Sequence, residues 1–327
     1  MTKHTSLAVM AITSSVLALS PDTASAKDSP VLKIENFIGT VKIATGNVSE
    51  ITVVDGNGVN VSKSGNNLTI DNNKRIRDYN CRYKKSTAYI GKGKWSWTPG
   101  RLGGKGYTNI NEFPLVRITV PANVHVEIKN NIIFGDIENI GSGDIHVASC
   151  GDLQLGDVSG AFNLRVSGSG DVKMGDAGDS NISISGSGDL IAGDFASADI
   201  TLSGSGDIEA GDIIRHAKIH VSGAGDIALA HIKGGLEYTG SGSSDFTAGY
   251  VGGGDLSIRV SGSSDIIVKD GEVDELYIKS SGSSDVVYSG SSVNAQAYAS
   301  GASDIYIRNP SGNLRTSDSG AADINVK

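Results

Sequence analysis

The chain has 327 residues and a formal net charge of −8, a balance that argues against a nucleic-acid partner. Its 44 glycines and 6% aromatic content suit a narrow interior rather than an ordinary globular core. After residue 26, no stretch of the sequence is apolar over the length that a membrane-spanning helix needs.

Residues 1–26 predict a secretory signal peptide. Lys3 precedes an apolar stretch, Leu7–Leu19, which is too short and too rich in Ser and Thr to span a membrane. The small residues Ala24–Ala26 then offer a cleavage site. We therefore expect an exported protein, located in the periplasm, on the outer surface or outside the cell, in which residues 27–327 form a single domain.

Residues 27–140 predict irregular first coils of that domain. Short alternating segments, such as Val41–Ile43 and Leu68–Ile70, indicate strands. These segments lack the glycine–aspartate signature of the residues that follow. A long insertion at residues 74–112 interrupts them.

The insertion is basic and aromatic. From Lys74 to Tyr107 it carries ten Lys or Arg residues and one acid, Asp78, although the rest of the chain is acidic. Loops on rigid scaffolds commonly carry binding sites. Trp and Tyr can stack on sugar rings, and Lys and Arg pair with sulfate, phosphate or uronate groups. The sequence therefore predicts that the insertion binds an anionic polysaccharide or another component of the cell envelope.

The candidate ligand-binding residues of the insertion are aromatic or basic: Tyr83, Lys84, Lys85, Tyr89, Lys92, Lys94, Trp95, Trp97 and Arg101. A second interpretation stays open, in which the insertion packs against the acidic remainder of the chain and its charge is compensated internally.

Residues 141–327 form a repeat. Ten aspartates follow runs of very small residues at steps of 18 to 20 residues. They are Asp152, Asp171, Asp189, Asp207, Asp226, Asp245, Asp265, Asp285, Asp304 and Asp323. A fixed period of about 20 residues is typical of stacked-repeat proteins.

The copies of the repeat differ in an informative way. In the nine copies after the first, a serine and a glycine, such as Ser167 and Gly168, always stand four and three residues before the aspartate. A glycine kept in every copy predicts a backbone with positive φ. The residue directly before the aspartate varies among Gly, Ser and Ala, so it needs only to be small. After the aspartate, apolar residues alternate with others, as at Val172 and Met174, which predicts a strand with one buried face.

One such unit cannot bury its apolar face alone, but stacked units can. The sequence therefore predicts an all-β fold, a right-handed parallel β-solenoid (β-helix) whose coils match the repeat of 18 to 20 residues.

The segment Val166–Asp171 reads Val-Ser-Gly-Ser-Gly-Asp, and Ser-Gly-Ser-Gly-Asp recurs at Ser185–Asp189 and Ser203–Asp207. In these motifs the chain resembles the bacterial family called putative auto-transporter adhesin, head GIN domain. The resemblance covers residues 33–250, with further copies beyond. It implies an exported β-helical protein with an adhesin-like role, and it supplies no catalytic residues.

Two interpretations of the aspartate column stay open. In the first, each carboxylate accepts hydrogen bonds from backbone N–H groups and serine hydroxyls of its turn, which offsets the repulsion between carboxylates one rung apart. In the second, the column binds calcium. We favour structural turns without metal or cofactor at Asp171, Asp189, Asp207, Asp226, Asp245, Asp265, Asp285 and Asp304. A weaker series follows glycine at Asp157, Asp176, Asp194 and Asp212.

The cysteines and histidines point to no further chemistry. Cys81 and Cys150 can pair in an oxidising compartment, but Cys150 also lies in the small-residue position that Ser169 occupies one repeat later, so two free cysteines are an equal alternative. His216 and His220 lie in a segment with a strand pattern, which argues against a helical metal-binding pair. The sequence contains no nucleophile elbow, phosphate loop or zinc-spaced cluster.

The sequence is most consistent with a non-enzymatic interaction or structural protein of the cell envelope. Two alternatives are a carbohydrate-active enzyme, such as a polysaccharide lyase or glycosidase, and a calcium-binding repeat protein. An enzyme needs a few acids or a base clustered at one place, whereas these aspartates form a regular column. The last strand-like segment, Asp323–Val326, would expose backbone pairing groups, so copies of the chain could associate.

Overall fold

The structure is a computed structural model that describes residues 29–84, 86–92 and 106–327. The predicted signal peptide lies outside the described residues, as do five of the candidate ligand-binding residues: Lys85, Lys94, Trp95, Trp97 and Arg101. The described part of the chain is all-β and contains no α-helix. None of the described segments is a helix long and apolar enough to cross a membrane.

The chain begins with four strands at one end of the molecule. They are β1 (Val31–Gly46), β2 (Thr52–Asp55), β3 (Asn60–Ser64) and β4 (Asn67–Asp71). Strand β4 pairs in parallel with β1, and β3 pairs with β4 as an antiparallel hairpin. Every residue of β3 is exposed, and its Lys63 forms an ion pair with Glu50. A short, charged outer strand of this kind protects a sheet edge from pairing with other chains.

The insertion forms a small antiparallel sheet of its own. It begins with a 3₁₀ turn (Ile76–Asp78), continues through β5 (Asn80–Lys84), β6 (Thr87–Gly91) and β7 (Tyr107–Asn109), and ends with a second 3₁₀ turn (Ile110–Glu112). The strand order is β5-β6-β7. We call this element the insertion sheet.

The remaining strands follow one another to the end of the chain. They are β8 (Leu115–Pro121), β9 (His125–Ile137), β10 (Ser142–Ser149), β11 (Leu153–Leu155), β12 (Phe162–Gly168), β13 (Val172–Met174), β14 (Ala177–Ile184), β15 (Leu190–Ile191), β16 (Phe195–Leu202), β17 (Ile208–Ala210), β18 (Ala217–Val221), β19 (Ile227–Ile232), β20 (Leu236–Gly242), β21 (Phe246–Gly252), β22 (Leu256–Gly262), β23 (Ile266–Val268), β24 (Gly271–Gly282), β25 (Val286–Tyr288), β26 (Ser291–Gly301), β27 (Asp304–Ile307), β28 (Leu314–Gly320) and β29 (Asp323–Val326).

These strands stack as a parallel β-solenoid of about 11 turns, which confirms the predicted fold class. The even-numbered strands from β10 to β28 pair in parallel with one another and form the long-strand sheet. The odd-numbered strands from β11 to β29 pair likewise and form the short-strand sheet. Isolated parallel bridges, such as Ile140 with Val158 and Phe195 with Ile213, mark the third side of the coil.

The core is a continuous column of inward side chains. In β12, Phe162, Leu164 and Val166 are buried, whereas the residues between them are exposed. Because the pairing is in register, Val166 lies beside Ile184, and Ile184 lies beside Leu202 in the next coil. Equivalent apolar side chains of successive coils stack on one another and remove each apolar face from water. One coil could not achieve this alone.

The Ser-Gly-x-x-Asp segment forms the corner that joins each long strand to the next short strand, and we call it the aspartate corner. The small residue directly before the aspartate points into the core there. Ser244, Ser264 and Ser284 are fully buried at this position. The Ser244 N–H donates to Ser264 Oγ at 3.2 Å, and the Ser264 N–H donates to Ser284 Oγ at 3.1 Å. Only a small side chain fits at this position, because the core side of the corner is closed by the neighbouring coils.

Two separate effects require glycine at the corner, positive φ and close stacking of the coils. The expectation of positive φ in every copy is therefore only partly correct. Gly282 has φ of +90°, in the region that favours glycine. Gly186 has no such φ, but a β-carbon there would overlap the carbonyl oxygen of Gly168 in the preceding coil. Close stacking of the backbones, rather than φ alone, therefore requires glycine. In the irregular first coils Asn36 and Asn130 take positive φ values of 48° and 50°, as asparagine tolerates.

Candidate ligand-binding site on the insertion

The insertion sheet covers an apolar patch on the first coils. Three side chains turn outward from the solenoid: Ile38 and Ile132, which are paired across β1 and β9, and Cys150, which directly follows β10. Ala88 and Ile90 of β6 pack on them, together with other buried residues of the insertion. In the following coils the outward position of the corner is an exposed serine, such as Ser169 and Ser187. The insertion sheet therefore docks where the corner is apolar and stops where it becomes polar.

A disulfide and a tyrosine fix this docking. Cys81 of β5 and Cys150 form a disulfide with a Cα–Cα distance of 6.1 Å. Two residues along the same strand, the Tyr83 hydroxyl donates to the Cys150 carbonyl oxygen at 2.9 Å and lies 3.3 Å from Asp152 Oδ2. Burial raises the pKa of the Tyr83 hydroxyl, which therefore stays protonated as a donor. Tyr83, one of the candidate ligand-binding residues, thus joins the insertion to the solenoid.

The face of the insertion sheet that points away from the solenoid is basic and aromatic. Alternation along β5 puts Arg82 and Lys84 on this face, because Cys81 and Tyr83 face the solenoid. Arg82 is paired with Tyr89 of β6, and its guanidinium lies 4.4 Å from the centre of the Tyr107 ring. We call Arg82, Lys84, Tyr89 and Tyr107 the outer face. Of these, Arg82 and Tyr107 were not singled out from the sequence, although the period of two from Lys84 would have indicated Arg82.

In the described part of the insertion, no basic side chain forms an ion pair with the solenoid. Among the described residues, the basic side chains of the insertion form no ion pair with a carboxylate; these side chains are Lys74, Arg75, Arg77, Arg82, Lys84 and Lys92. Arg82 and Lys92 contact aromatic rings of the insertion instead, those of Tyr107 and Tyr79. The described part of the insertion packs on the solenoid through apolar contacts, a disulfide and the Tyr83 hydrogen bond.

A groove runs between the insertion and the first coils. It has a volume of about 520 Å³ and is lined by Lys74, Tyr79, Lys92 and Glu112 among others. Lys92 Nζ lies 5.1 Å from the centre of the Tyr79 ring, so a cation and an aromatic ring meet at the wall of the groove. The groove and the outer face together present two basic and aromatic surfaces on one small sheet.

The aspartate column forms a ladder of backbone hydrogen bonds between coils. The N–H of Asp207 donates to Asp189 Oδ1 at 2.8 Å, and the N–H of Asp226 donates to Asp207 Oδ1 at 2.9 Å. The same bond recurs at other steps, so the carboxylate accepts from the next coil rather than from its own turn. The ladder includes the ten aspartates of the column: Asp152, Asp171, Asp189, Asp207, Asp226, Asp245, Asp265, Asp285, Asp304 and Asp323. The carboxylates that accept such an N–H are those of Asp152, Asp171, Asp189, Asp207, Asp226, Asp245, Asp285 and Asp304. These bonds offset the repulsion along the column.

The second aspartate series forms a shorter ladder of the same kind. The N–H of Asp194 donates to Asp176 Oδ1 at 2.8 Å, and the N–H of Asp212 donates to Asp194 Oδ1 at 2.7 Å. His231 follows Asp212 in this column, and its Nδ1 lies 2.6 Å from Asp212 Oδ1. Bonds from Lys233 and His231 hold the pKa of Asp212 below its usual value. Within the described residues, no group of three or more His, Cys, Asp or Glu side chains could hold a metal ion.

Comparison with known proteins gives one family. The sequence profile described as "Putative auto-transporter adhesin, head GIN domain" matches residues 109–248 and, a second time, residues 235–327. No curated protein and no solved structure matches the chain. The two matches cover the solenoid from β8 to the final strand and leave out most of the insertion.

Proposed function

Because the chain belongs to the family of putative auto-transporter adhesin, head GIN domains, we propose that it is an exported, non-enzymatic, adhesin-like protein that binds an anionic glycan. The insertion supplies the binding surface. The solenoid supplies a rigid support that holds this surface at one end of the molecule. The ligand is a uronate-containing or sulfated polysaccharide of the cell envelope or its surroundings.

The observation that supports this proposal is the uncompensated outer face. Arg82 and Lys84 are exposed, and neither has a carboxylate partner within the described part of the chain. The Tyr107 ring already holds the Arg82 guanidinium in place at 4.4 Å. A guanidinium that is oriented before binding loses less conformational freedom when it pairs with a carboxylate or sulfate. Tyr89 adds a ring beside it for contact with a sugar face.

The aspartates of the solenoid favour a role in supporting the binding surface over a role in catalysis. The acids that a glycosidase or lyase would use as proton donor and base are here held by backbone N–H groups of the next coil, as at Asp189 and Asp207. Their spacing is uniform along the column, so no position is distinguished as a site. Trp95 and Trp97, which lie outside the described residues, stay predicted contributors to glycan stacking.

Binding measurements on matched charge variants test the proposal. We expect Arg82→Gln/Lys84→Gln to weaken the binding of polygalacturonate by about tenfold, since two exposed ion pairs of roughly 0.7 kcal/mol each are lost. The control Arg165→Gln/Lys173→Gln removes the same charge from two exposed positions of the solenoid and should change the dissociation constant less than twofold. Isothermal titration calorimetry at low and high salt measures both, with neutral dextran as the negative ligand.

Equal affinities for the wild type and Arg82→Gln/Lys84→Gln would overturn the proposal. Binding of dextran as tight as that of polygalacturonate would also overturn it, because the outer face recognises negative charge. A tenfold loss that vanishes at high salt is the expected signature of a surface ion pair.

A further inference from the structure

The outward face of the last four long strands carries a second group of aromatic and basic side chains. Pairing in register places Ser257, Tyr277, Gln296 and Arg315 in one outward column across β22, β24, β26 and β28. The neighbouring outward column contains Arg259, Lys279 and Tyr298. The residues between the two columns, Ile258, Ile278 and Ala297, are buried in the core. We call the outward group the sheet platform.

The side chains of the sheet platform are held together by direct contacts. The Arg259 guanidinium lies 4.6 Å from the centre of the Tyr277 ring, and Arg259 Nη1 donates to Ser257 Oγ at 2.7 Å. The rings of Tyr277 and Tyr298 lie 5.9 Å apart, and the Tyr298 hydroxyl donates to Gln296 Oε1 at 3.2 Å. Side chains positioned in this way on a β-sheet form a surface that needs little rearrangement to bind.

The positive charges of the sheet platform are also uncompensated. Within the described residues, Arg259, Lys279 and Arg315 form no ion pair. The nearby acid Glu275 accepts a hydrogen bond from Asn294 Nδ2 at 2.8 Å instead. This contrasts with Lys218, on the same sheet face in earlier coils, which lies 3.8 Å from Glu237. The cations of the sheet platform are thus free to meet an external anion.

Two shallow grooves continue the sheet platform along the start of the long strands. One has a volume of about 580 Å³, and its wall includes Ser257, Lys218 and Arg259 together with the acids Asp199, Glu237 and Asp255. The other has a volume of about 500 Å³ and includes Gln296 and Arg315, with Glu275 as its acid. Both follow the solenoid axis, so an extended polymer could lie along the platform from one groove to the other.

We propose that the sheet platform is a second glycan site, which binds a linear polysaccharide that carries carboxylate or sulfate groups. Tyr277 and Tyr298 contact the sugar rings. Arg259, Lys279 and Arg315 pair with the acidic groups. Gln296 and Ser257 offer an amide and a hydroxyl to sugar hydroxyls. The site is separate from the insertion and does not depend on the function proposed there.

The spacing of the cations favours a glycan over a nucleic acid. Three cations are distributed over the three rungs between β22 and β28, which is about 14 Å at 4.8 Å per rung. Double-stranded DNA presents one charge per ~1.7 Å, far more than these cations could neutralise. A polymer with a sparser charge and many hydroxyls matches these groups better.

The two sites lie on one rigid solenoid. Seven strand pairings separate β10, which anchors the insertion sheet, from β24, which carries Tyr277. At about 4.8 Å per pairing the separation along the axis is roughly 34 Å. One long polysaccharide chain could reach both sites, and its second contact would then be intramolecular and favoured by a high effective concentration.

Two variants of the sheet platform test the proposal in the full-length chain. Arg259→Gln/Lys279→Gln removes two cations, and Tyr277→Ala/Tyr298→Ala removes the rings. We expect each to weaken the binding of polygalacturonate, dextran sulfate or both by about tenfold. The control Arg165→Gln/Lys173→Gln, at exposed positions outside both grooves, should stay within twofold. Calorimetry with the two polymers distinguishes a uronate from a sulfated ligand, and a thermal melt by circular dichroism verifies that each variant is folded.

Unchanged binding of both polymers by folded Arg259→Gln/Lys279→Gln would overturn the proposal. Tighter binding of single-stranded oligothymidine than of either glycan would overturn the ligand class. A loss seen only in the platform variants supports this site and contradicts the proposed function of the insertion. A loss of binding seen only in Arg82→Gln/Lys84→Gln supports the insertion site and contradicts the sheet platform. The two proposals can therefore fail separately.

Discussion

Substitution of three consecutive aspartates tests whether the aspartate column is a structural ladder. Asp189, Asp207 and Asp226 each accept a backbone N–H of the next coil, at 2.8, 2.9 and 2.9 Å. A triple Asn variant keeps the accepting oxygen and removes the charge. A triple Ala variant removes both. Because both variants relieve the same charge repulsion, the difference between them isolates the three hydrogen bonds.

The magnitude follows from the geometry. Carboxylates one rung apart repel by about 0.9 kcal/mol in water, and salt at physiological strength roughly halves this energy. Loss of charge assistance in the hydrogen bond costs a similar amount, so the Asn variant should be within about 1 kcal/mol of the wild type. Each lost bond costs about 1 kcal/mol, so the Ala variant should be roughly 3 kcal/mol less stable than the Asn variant. For a chain of this size, that corresponds to about 5 °C in melting temperature.

Differential scanning calorimetry with and without calcium measures the effect. We expect the Asn variant to melt near the wild type, the Ala variant about 5 °C lower, and calcium to change none of the three. Equal melting of the Asn and Ala variants would refute the ladder. A rise in the melting temperature of the wild type with calcium that the Asn variant lacks would refute it as well, in favour of cation binding.

Three further predictions concern the corner and the docking of the insertion. Cys81→Ser opens a link between residues 69 apart and should lower stability by at most about 4 kcal/mol; a wild type whose melting is unchanged by reductant would contradict this. Burial raises the pKa of the Asp152 carboxyl, so the folded state favours its protonated form. The stability that this protonated carboxyl contributes is fully present below the unfolded pKa of about 3.9 and is lost as the pH rises through the folded pKa. Asp152→Asn should therefore raise the melting temperature at pH 7 and leave it unchanged at pH 3, and an equal effect at both would be contrary evidence. Gly186→Ala should cost about 3 kcal/mol in urea unfolding because of the overlap with the preceding coil, whereas Ser187→Ala, at an exposed position, should cost less than about 0.5 kcal/mol; similar costs would show that coil stacking does not require the glycine.

The solenoid was predictable because every coil repeats the same arrangement of inward apolar residues, small corner residues and aspartate. Val166, Ile184 and Leu202 occupy equivalent positions in the sequence, and in the structure they lie beside one another in the core. A period of two after each aspartate and a small residue before it were sufficient to place the strands and the corner. A repeat reveals which positions face inward, since equivalent positions of all copies pack in the same core.

The bonds between coils were not predictable from one coil. The sequence suggested that each aspartate caps its own turn, but Asp207 accepts from Asp226, which belongs to the next coil. Likewise Gly186 is needed because of Gly168 in the coil before it. Both effects depend on the distance between stacked backbones, and a sequence period alone does not contain that distance.

The binding surfaces were only partly predictable for a similar reason. The sequence located the basic insertion, but not that Tyr83 faces inward toward Asp152. The sheet platform was missed, because Tyr277 and Tyr298 are one coil apart and look unrelated until the outward positions of successive coils are aligned. Such an alignment of the repeats by outward position is the signal that would have found it.

Protection of individual lysines tests most directly that the insertion binds an anionic glycan. Lys84 and Lys92 are exposed on the insertion, and Lys173 is exposed on the short-strand sheet. We expect saturating polygalacturonate to slow the acetylation of Lys84 and Lys92, as measured by mass spectrometry, and to leave that of Lys173 unchanged. Acetylation of Lys84 and Lys92 at the same rate with and without the polymer would contradict it.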